Sequence, residues 1–301
     1  MPEHVLPPLP LAAAPIVASP VRPARRGVPL ACFTLALLFH APVMAQEAPA
    51  PSSVTPATEP RASTFLGDGT TLTLGVGTSV GPAYAGAKTY RVRPVPLVDA
   101  TFFDDRVFLS TANGLGANII NLGPFQSGLA ITYGGGRSRS DSERLRGLSD
   151  VAGGAAVVGF LKYRLRPFSF ELKATNNFGP NPGAKLSFAS HYSFTPLSRL
   201  LVSVGPEVTW ADHRYNQAYF GVTSAEATQA SAQGNPLRAY SPGSGINDVS
   251  LSLSGVYAVT DHWQWMTNVR LSELVGNAAK NSPLTQRQFQ PGIMTGVAYK
   301  F

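Results

Sequence analysis

The fold is decided by the last stretch of the chain, QFQPGIMTGVAYKF at positions 288–301. Two sets of side chains alternate along it, namely Ile293, Thr295, Val297, Tyr299 and Phe301 on one parity and Met294, Gly296, Ala298 and Lys300 on the other. Because a strand directs alternate side chains to opposite faces, one face is apolar and aromatic while the other is small or polar. An exposed apolar last strand promotes aggregation of a soluble protein, but it fits a closed barrel that faces lipid. The stretch therefore predicts an outer-membrane β-barrel.

The same alternation recurs along the chain from Thr70. It is clear in the segments 70–80, 125–135, 168–175, 186–194, 200–210, 249–257 and 263–271, and the charges fall almost wholly on the face opposite the apolar residues. Alternation alone is also typical of a soluble sandwich. Segments of about ten residues, an export signal and the terminal aromatic residue favour the barrel. We expect an all-β, transmembrane, antiparallel, up-and-down β-barrel.

The number of strands depends on one hairpin signal. Seven strands are expected after the loop 136–150, and the preceding segments 70–80, 90–100, 107–118 and 125–135 give four strands, whereas a periplasmic N-terminus needs an odd number. Asn113-Gly114 is a strong two-residue turn signal that splits the third segment into two short strands. The sequence therefore predicts about twelve strands, with ten as the alternative. Short connections are expected at the periplasmic end and long ones outside.

Composition excludes some function classes. The formal net charge is +7 with 14% charged residues, and Lys and Arg are scattered, so no nucleic-acid partner is expected. No apolar run is long enough for a membrane-spanning helix. The one cysteine, Cys32, lies in the targeting segment described next, which leaves no disulfide or thiolate site in the mature chain.

The chain divides into three parts. Arg22, Arg25 and Arg26 precede the apolar run 28–39, and Val43-Met44-Ala45 provides small residues for cleavage before Gln46. This pattern predicts a signal peptide and leader over 1–45. The Pro/Ala-rich residues 46–68 cannot form a core and predict a flexible periplasmic segment. The barrel is expected over 69–301.

Several short motifs occur in a characteristic order. They are Pro82-Ala83-Tyr84-Ala85-Gly86, Gly136-Arg137, Leu145-Arg146-Gly147-Leu148-Ser149-Asp150, Thr209-Trp210-Ala211-Asp212 with Tyr215, Tyr219-Phe220-Gly221-Val222, Leu271, Gly276-Asn277-Ala278-Ala279, Ser282-Pro283 and Tyr299-Lys300-Phe301. In this order the chain resembles the MipA/OmpV family of outer-membrane proteins from about Leu72 to its end. It departs from the family pattern at Ala87, often serine there, and at Asn277, often aspartate.

The resemblance implies a non-enzymatic protein of the outer membrane of a Gram-negative bacterium, in contact with outer-membrane lipid. Members are described as scaffolds that bring a murein lytic transglycosylase together with a bifunctional murein synthase. Others are described as porin-like channels or surface adhesins. A scaffold for cell-envelope proteins is thus the first expectation, and a small-solute channel or an adhesin is the alternative.

One group of candidate site residues follows the strands that end near the long loops. Its members are Trp210, Asp212, Tyr215, Tyr219 and Arg137, which are candidates for a partner or ligand site because aromatic side chains and arginine are common anchors. A structural interpretation is favoured for each. Trp210 then anchors the membrane interface, Asp212 caps a turn, and Arg137 pairs with an acid among Asp141, Glu143 and Asp150.

A second group is expected to point into the barrel. It consists of Glu171, Lys173, Lys185, His191, Glu207 and Arg270, which lie on the polar face of the alternating segments. These side chains either line a selective pore or form an internal plug of salt bridges, and the sequence favours neither.

No catalytic, metal or cofactor site is expected. His191, His213 and His262 share no metal spacing, and pairs such as His191 with Ser187 or Ser193, or His213 with Ser224, lack a nucleophile signature. The glycines at 75, 77 and 81 lie inside a strand with no helix after them, so they are not a dinucleotide loop.

Overall fold

The computed structural model describes residues 69–301, so the expected signal peptide and leader (1–45) and the Pro/Ala-rich segment (46–68) lie outside the described residues. The described part is a closed barrel of twelve strands, in which each strand pairs antiparallel with the next along the chain and β1 pairs with β12. The strands are β1 Thr71–Pro82, β2 Tyr90–Phe102, β3 Val107–Ser110, β4 Gly114–Leu122, β5 Phe125–Gly134, β6 Gly154–Leu165, β7 Phe168–Asn177, β8 Gly183–Leu197, β9 Leu200–Ala211, β10 Gly245–Ala258, β11 Trp263–Leu274 and β12 Gly292–Lys300. The predicted barrel of about twelve strands is confirmed.

The alternation read from the last strand decides which side chains face outward. On β12, Ile293 and Val297 are exposed on the outer wall, whereas Met294 and Ala298 are buried inside. The seam is tight because small residues meet across it: Gly75 pairs with Ala298 and Gly77 with Gly296. A side chain on Gly75 would lie 2.6 Å from the Ala298 Cα atom, so the closing seam requires glycine there.

Aromatic side chains gather at the barrel end that carries the short turns. Tyr299 contacts Trp263 edge-on at 5.2 Å between ring centroids and Phe301 at 4.9 Å, and Phe168 lies 5.3 Å from Tyr192. Such rings form the interfacial girdle of a membrane barrel.

Asn113-Gly114 does split the predicted third segment. Gly114 adopts a φ of +82°, and the chain reverses there between β3 and β4. β3 has only four residues, so this hairpin is much shorter than its neighbours. The predicted segment 107–118 is therefore wrong in extent, because β4 continues to Leu122.

Long connections lie at one end of the barrel. The short turns 103–106, 123–124, 166–167, 198–199 and 259–262 occupy the other end, with the start of β1 and the end of β12. In outer-membrane barrels the long loops are extracellular and the short turns periplasmic. The long loops contain the helices α1 His213–Phe220, α2 Ser224–Ala232 and α3 Asn277–Lys280, and one-turn 3-10 helices at Arg139–Asp141 and Glu143–Leu145. None of the helices within residues 69–301 has the length and hydropathy to cross a membrane.

Four of the long loops fold together into one layer, which we call the cap: residues 83–89, 135–153, 212–244 and 275–291. The cap has its own hydrophobic core, formed by Ala83, Tyr84, Ala87, Leu145, Leu148, Val222, Ala230, Leu237 and Leu284. The Tyr84 hydroxyl donates a hydrogen bond to the Leu284 carbonyl (2.9 Å), and burial raises the pKa of Tyr84 to about 12. Phe220, Leu274 and Ala279 join the cap to the rim of the barrel.

Candidate functional site

A cavity of about 440 Å³ lies inside the barrel below the cap. Its outer wall includes the cap residues Tyr84, Arg137, Tyr215 and Tyr219, and its remaining wall comes from inward-facing strand residues. All six side chains predicted to point inward line it: Glu171, Lys173, Lys185, His191, Glu207 and Arg270. In total six basic and four acidic side chains line the cavity, which gives a formal charge of +2 with His191 neutral.

Two ion pairs lie on the cavity wall. Arg270 on β11 contacts the Glu207 carboxylate on β9 at 3.0 Å, and their side chains are 7% and 22% exposed. Lys173 contacts Glu171 at 3.4 Å and also donates a hydrogen bond to the Asn113 side-chain oxygen (3.0 Å) in the β3–β4 turn. These four predicted residues therefore form salt bridges inside the barrel, as the plug interpretation predicts. They do not fill the barrel, because they line an open cavity.

The other cations at the cavity have no carboxylate within ion-pair distance among residues 69–301. Lys162 lies over the Phe160 ring at 5.2 Å, and Lys185 lies over the Tyr215 ring at 5.0 Å. Arg93 donates to the Ala83 carbonyl at 3.0 Å. Carboxylates nevertheless balance part of the charge of the two lysines, namely Glu171 and Asp99 for Lys162 and Asp248 and Glu207 for Lys185.

Arg137 is the most enclosed of these unpaired cations. It is 5% exposed, its Nη1 donates to the Tyr219 carbonyl (3.0 Å), and its buried Nε has no partner within the described residues. Burial lowers the pKa of Arg137 from its usual value. The predicted pairing of Arg137 with a nearby acid is wrong, because Asp141 pairs with Arg91, Glu143 with Arg146 and Asp150 with Arg139. The side chains of Glu143 and Asp150 are exposed, whereas Arg137 lines the cavity.

The remaining members of the first predicted group take separate positions. Trp210 lies on the outer wall near the end of β9, 39% exposed. Asp212 caps α1, and its Oδ1 accepts a hydrogen bond from the Tyr215 amide (2.7 Å). Tyr215 and Tyr219 stack at 4.4 Å and face the cavity, and burial raises the pKa of both hydroxyls. The two tyrosines are thus placed for a ligand inside the barrel and not for a protein on its outer surface.

His191 and His213 have no carboxylate as a hydrogen-bond partner among residues 69–301. His191 Nε2 lies 3.4 Å from Ser252 Oγ, but no acid in residues 69–301 is hydrogen-bonded to His191. His213 Nδ1 lies 2.6 Å from the Pro242 carbonyl oxygen. A catalytic serine usually has a histidine base that an acid orients by a hydrogen bond, and the contacts of His191 and His213 within residues 69–301 do not include such a bond. The part of the chain that the structure describes also has no cluster of three possible metal ligands.

Sequence reasoning missed Asp99, Arg93, Lys162 and Asp248 among the cavity residues. Each lies on the inward parity of β2, β6 or β10. The signal was present for Arg93, Asp99 and Lys162, because extending the alternation through the segments 90–100 and 154–165 places them on the polar face, and for Asp248, because it shares the parity of Ser250 and Ser252 in β10.

The closed barrel, its outward apolar side chains and its aromatic girdle place the chain in the outer membrane of a Gram-negative bacterium. Among solved structures, the chain is similar to the KdgM porin, with 10% identity, a TM-score of 0.38 and coverage of 76% of this chain and 99% of that one. It is also similar to the NanC porin, with 8% identity, a TM-score of 0.40 and coverage of 76% and 100%. A third similar structure is a bacterial polysaccharide outer membrane secretin, with 8% identity, a TM-score of 0.42 and coverage of 76% and 98%. No curated protein sequence matches the chain.

A family profile covers nearly all of the described barrel. The profile described as "MltA-interacting protein MipA" matches residues 74–301, which run from Leu74 in β1 to Phe301. The matched region includes every long loop and all of the cap. The chain therefore belongs to the MipA family.

Proposed function

We propose that this protein is a non-enzymatic scaffold of the outer membrane, which holds a murein lytic transglycosylase at its periplasmic end. The family description supports this proposal, since it is a description of proteins that interact with MltA. A bifunctional murein synthase is the second partner in the proposed assembly. The outer wall of the barrel contacts membrane lipid and keeps the assembly at the inner surface of the membrane.

The observation that carries the proposal is the cap. Leu145, Ala230 and Leu284 are fully buried in its core, so the cap is a packed layer and not a set of open loops. A packed layer over the outer end supports a role as an anchor in preference to free passage of solutes. Partner contacts then belong to the opposite end, where the turns are short.

The periplasmic end offers charged and apolar side chains for such contacts. The Asp261 side chain is 92% exposed and pairs loosely with Arg199 at 3.7 Å. Phe103 is 69% exposed in the β2–β3 turn, next to Asp104 and Asp105. An exposed aromatic ring beside charges is a common anchor in protein interfaces.

Binding of the purified barrel to a soluble murein lytic transglycosylase tests the proposal directly. The barrel is held in detergent on a biosensor, and the enzyme is titrated over it. We expect the Phe103→Ser and Asp261→Asn variants to weaken binding, whereas Glu143→Gln, at an exposed position of the cap, leaves it unchanged. No binding by the unaltered barrel, or equal losses in the cap variant, contradicts the scaffold.

The second candidate function is a small-solute channel, and the charged cavity favours it. Planar-bilayer recordings separate the two functions. A scaffold gives no stable unit currents, whereas a channel gives currents that change when Lys185 or Glu207 is substituted. Both side chains line the cavity, so either substitution would alter the field that a passing ion meets.

A further inference from the structure

Arg137 has one edge of its guanidinium without partners. The residue is 5% exposed and lines the cavity. Its Nη1 donates to the Tyr219 carbonyl at 3.0 Å, whereas the buried Nε and the accessible Nη2 form no hydrogen bond within residues 69–301. The Nε–H and Nη2–H bonds run parallel along one edge of the planar group, and this edge matches the two oxygens of a carboxylate or phosphate. The edge therefore offers two donors and has no acceptor among the described residues.

Two carboxylates act on Arg137 without forming an ion pair with it. Glu226 and Asp141 both favour its charged form. The Glu226 carboxylate is hydrogen-bonded to two amides of the cap, and Asp141 pairs with Arg91. A guanidinium does not lose its proton in a protein, so burying it costs free energy unless an anion compensates the charge. The cap thus encloses a permanent cation with no direct carboxylate partner among the described residues.

The wall beside Arg137 comes from α1. Tyr219, whose carbonyl accepts from Arg137, stacks on Tyr215 at 4.4 Å between ring centroids, and Lys185 Nζ lies 5.0 Å from the Tyr215 ring. All four residues line the cavity. α1 lies directly on the start of β8, because a side chain at Gly183 would meet the Tyr215 amide nitrogen at 2.5 Å. The tyrosine pair therefore closes the cavity between Arg137 and the outer end of β8.

The barrel wall below α1 is polar and carries small side chains. Thr175 on β7 is paired with Lys185, and Ser187 on β8 is paired with Thr209 on β9. All of them line the cavity. Hydroxyl groups both donate and accept hydrogen bonds, so this wall suits a hydroxylated ligand. The cavity volume of about 440 Å³ lies within the range of roughly 300–1,000 Å³ that is usual for small-molecule sites.

We propose that the outer part of the cavity binds a small hydroxylated organic anion, whose carboxylate or phosphate group lies on the free edge of Arg137. The body of the ligand occupies the polar cavity below α1. The contact with Arg137 consists of two parallel charge-assisted hydrogen bonds, which are stronger than bonds between neutral groups. It supplies the acceptor and the negative charge that the buried guanidinium lacks. The inference goes beyond the proposed scaffold and does not depend on it.

Titration calorimetry on the purified barrel in detergent tests the proposal with three probes. Gluconate carries a carboxylate and glucose 6-phosphate carries a phosphate, each on a six-carbon hydroxylated body, and glucose is the neutral control. We expect at least one of the two anions to bind at about one site per barrel, and glucose to bind at least tenfold more weakly. The tighter of the two anions shows whether the site prefers a carboxylate or a phosphate.

Two substitutions at Arg137 separate its charge from its geometry. Arg137→Lys keeps the positive charge but removes the parallel donors, so we expect the affinity for the tighter anion to fall roughly tenfold. Arg137→Gln also removes the charge and should lower the affinity further. If Arg137→Gln loosens the cap, Arg137→Lys still tests the site, since an ammonium group can donate to the Tyr219 carbonyl. Arg139→Gln is the matched control, because its side chain is 63% exposed and two positions away, and it should leave the affinity unchanged.

Four results would overturn the proposal. The first is no binding by either anion, and the second is equal binding by glucose. The third is full affinity in both Arg137→Lys and Arg137→Gln, which would assign the anion to other cations of the cavity. The fourth is an equal loss of affinity in Arg139→Gln, which would mean that the general charge of the cap attracts the anion.

Discussion

Gly147 shows how a single residue fixes the cap. It has a φ of +85°, and a side chain there would meet the backbone of Ala230 in α2. Gly147→Ala therefore adds a left-handed backbone cost of about 1–2 kcal/mol to an overlap that only movement of α2 relieves. We expect faster hydrogen exchange at the Val222 and Leu148 amides, with the barrel strands unaffected.

Gly234→Ala is the matched control for this prediction. Gly234 has a similar φ of +75°, but nothing lies within 4 Å of its added side chain. The control measures the backbone cost alone, so exchange should rise much less. Equal effects of the two substitutions would show that the contact with Ala230 does not hold the cap together.

Glu226 makes the cap sensitive to acid. Its carboxylate accepts hydrogen bonds from the Ser149 amide (3.0 Å) and the Thr223 amide (2.9 Å), and so joins two loops. Burial opposes the charge, but these hydrogen bonds lower the pKa of Glu226 below its usual value. Its stabilisation is therefore complete above the unfolded pKa of about 4.3 and is lost as the pH falls through the lower folded value. Hydrogen exchange at the Ser149 and Thr223 amides, corrected for intrinsic rates, should stay slow from pH 7 to 5 and become faster below about pH 4.

Glu226→Gln supplies the control, since it keeps an acceptor oxygen but has no carboxyl to titrate. In this variant the free energy of protection at pH 7 should be lower by about 1 kcal/mol, as for the loss of a helix N-cap hydrogen bond. The protection should also depend less on pH. If Glu226→Gln keeps the full acid response, another titrating group causes that response.

Individual residues differ in how far the sequence predicts them. The inward placement of Glu207 and Arg270 follows from strand parity, which is a local rule. The partner of Arg137 does not, because the choice between Asp141 and the Tyr219 carbonyl depends on how distant loops pack. The alternation rule applies only within strands, and Tyr215 and Tyr219 lie in α1. No local pattern in the sequence therefore predicts that they face the cavity.

At the scale of elements, the short β3–β4 hairpin depends on Thr111. Its Oγ1 accepts from the Val98 amide (2.9 Å) and donates to the Pro96 carbonyl (2.7 Å). Thr111→Val keeps the shape but leaves both groups of β2 unsatisfied at the wall, at a cost of about 1–3 kcal/mol. Urea unfolding of the barrel in lipid vesicles should show this loss.

Thr71→Val is the comparison for the hairpin, since the Thr71 hydroxyl at the aqueous end of β1 is hydrogen-bonded, within residues 69–301, to the Thr101 hydroxyl (2.8 Å). We expect a change below about 0.5 kcal/mol, as for other exposed positions. A similar loss in both variants would show that the two β2 groups find other partners in the membrane.

The Arg270–Glu207 pair joins β11 to β9 across β10. Glu207→Leu leaves Arg270 enclosed without its carboxylate and should destabilise the barrel by about 3 kcal/mol. The double variant with Arg270→Met removes both charges, and most of the stability should return. Chemical unfolding of the two single variants and the double variant gives the coupling. Additive losses would mean that water in the cavity already screens the pair.

Element boundaries were predictable where a turn residue marks them. Asn113-Gly114 indicated the extra hairpin between β3 and β4. The length of β3 was not predictable in this way, because nothing local in Val107–Ser110 reports that β2 continues unpaired beyond it. Pro94 and Pro96 on β2 lack the N–H groups that a neighbouring strand would need. The sequence alone does not show which edge of β2 they lie on.

At the scale of the whole molecule, barrel and cap are specified by different parts of the sequence. The barrel follows from period-two alternation, which many sequences share, and so it was predictable without relatives. The cap is formed largely by the motifs that carried the family resemblance, including Tyr84, Leu145, Leu148 and Val222. Such contacts between loops far apart in the chain leave no periodic pattern.

The cap covers the outer end of the cavity. In a Cys32→Ser background, which removes the one cysteine of the chain, Ser187→Cys places a thiol on the cavity wall. A membrane-impermeant thiol reagent added from the outside should label it slowly while the cap is in place. When residues 213–243 are replaced by a short Gly-Ser linker, α1 and α2 are absent, and labelling should become at least tenfold faster. Ser140→Cys on the exposed side of the cap should react at the same rate in both proteins, and circular dichroism should show an unchanged strand content. Equal labelling rates at Ser187→Cys with and without residues 213–243 would mean that the reagent passes the cap freely. That result would support an open channel.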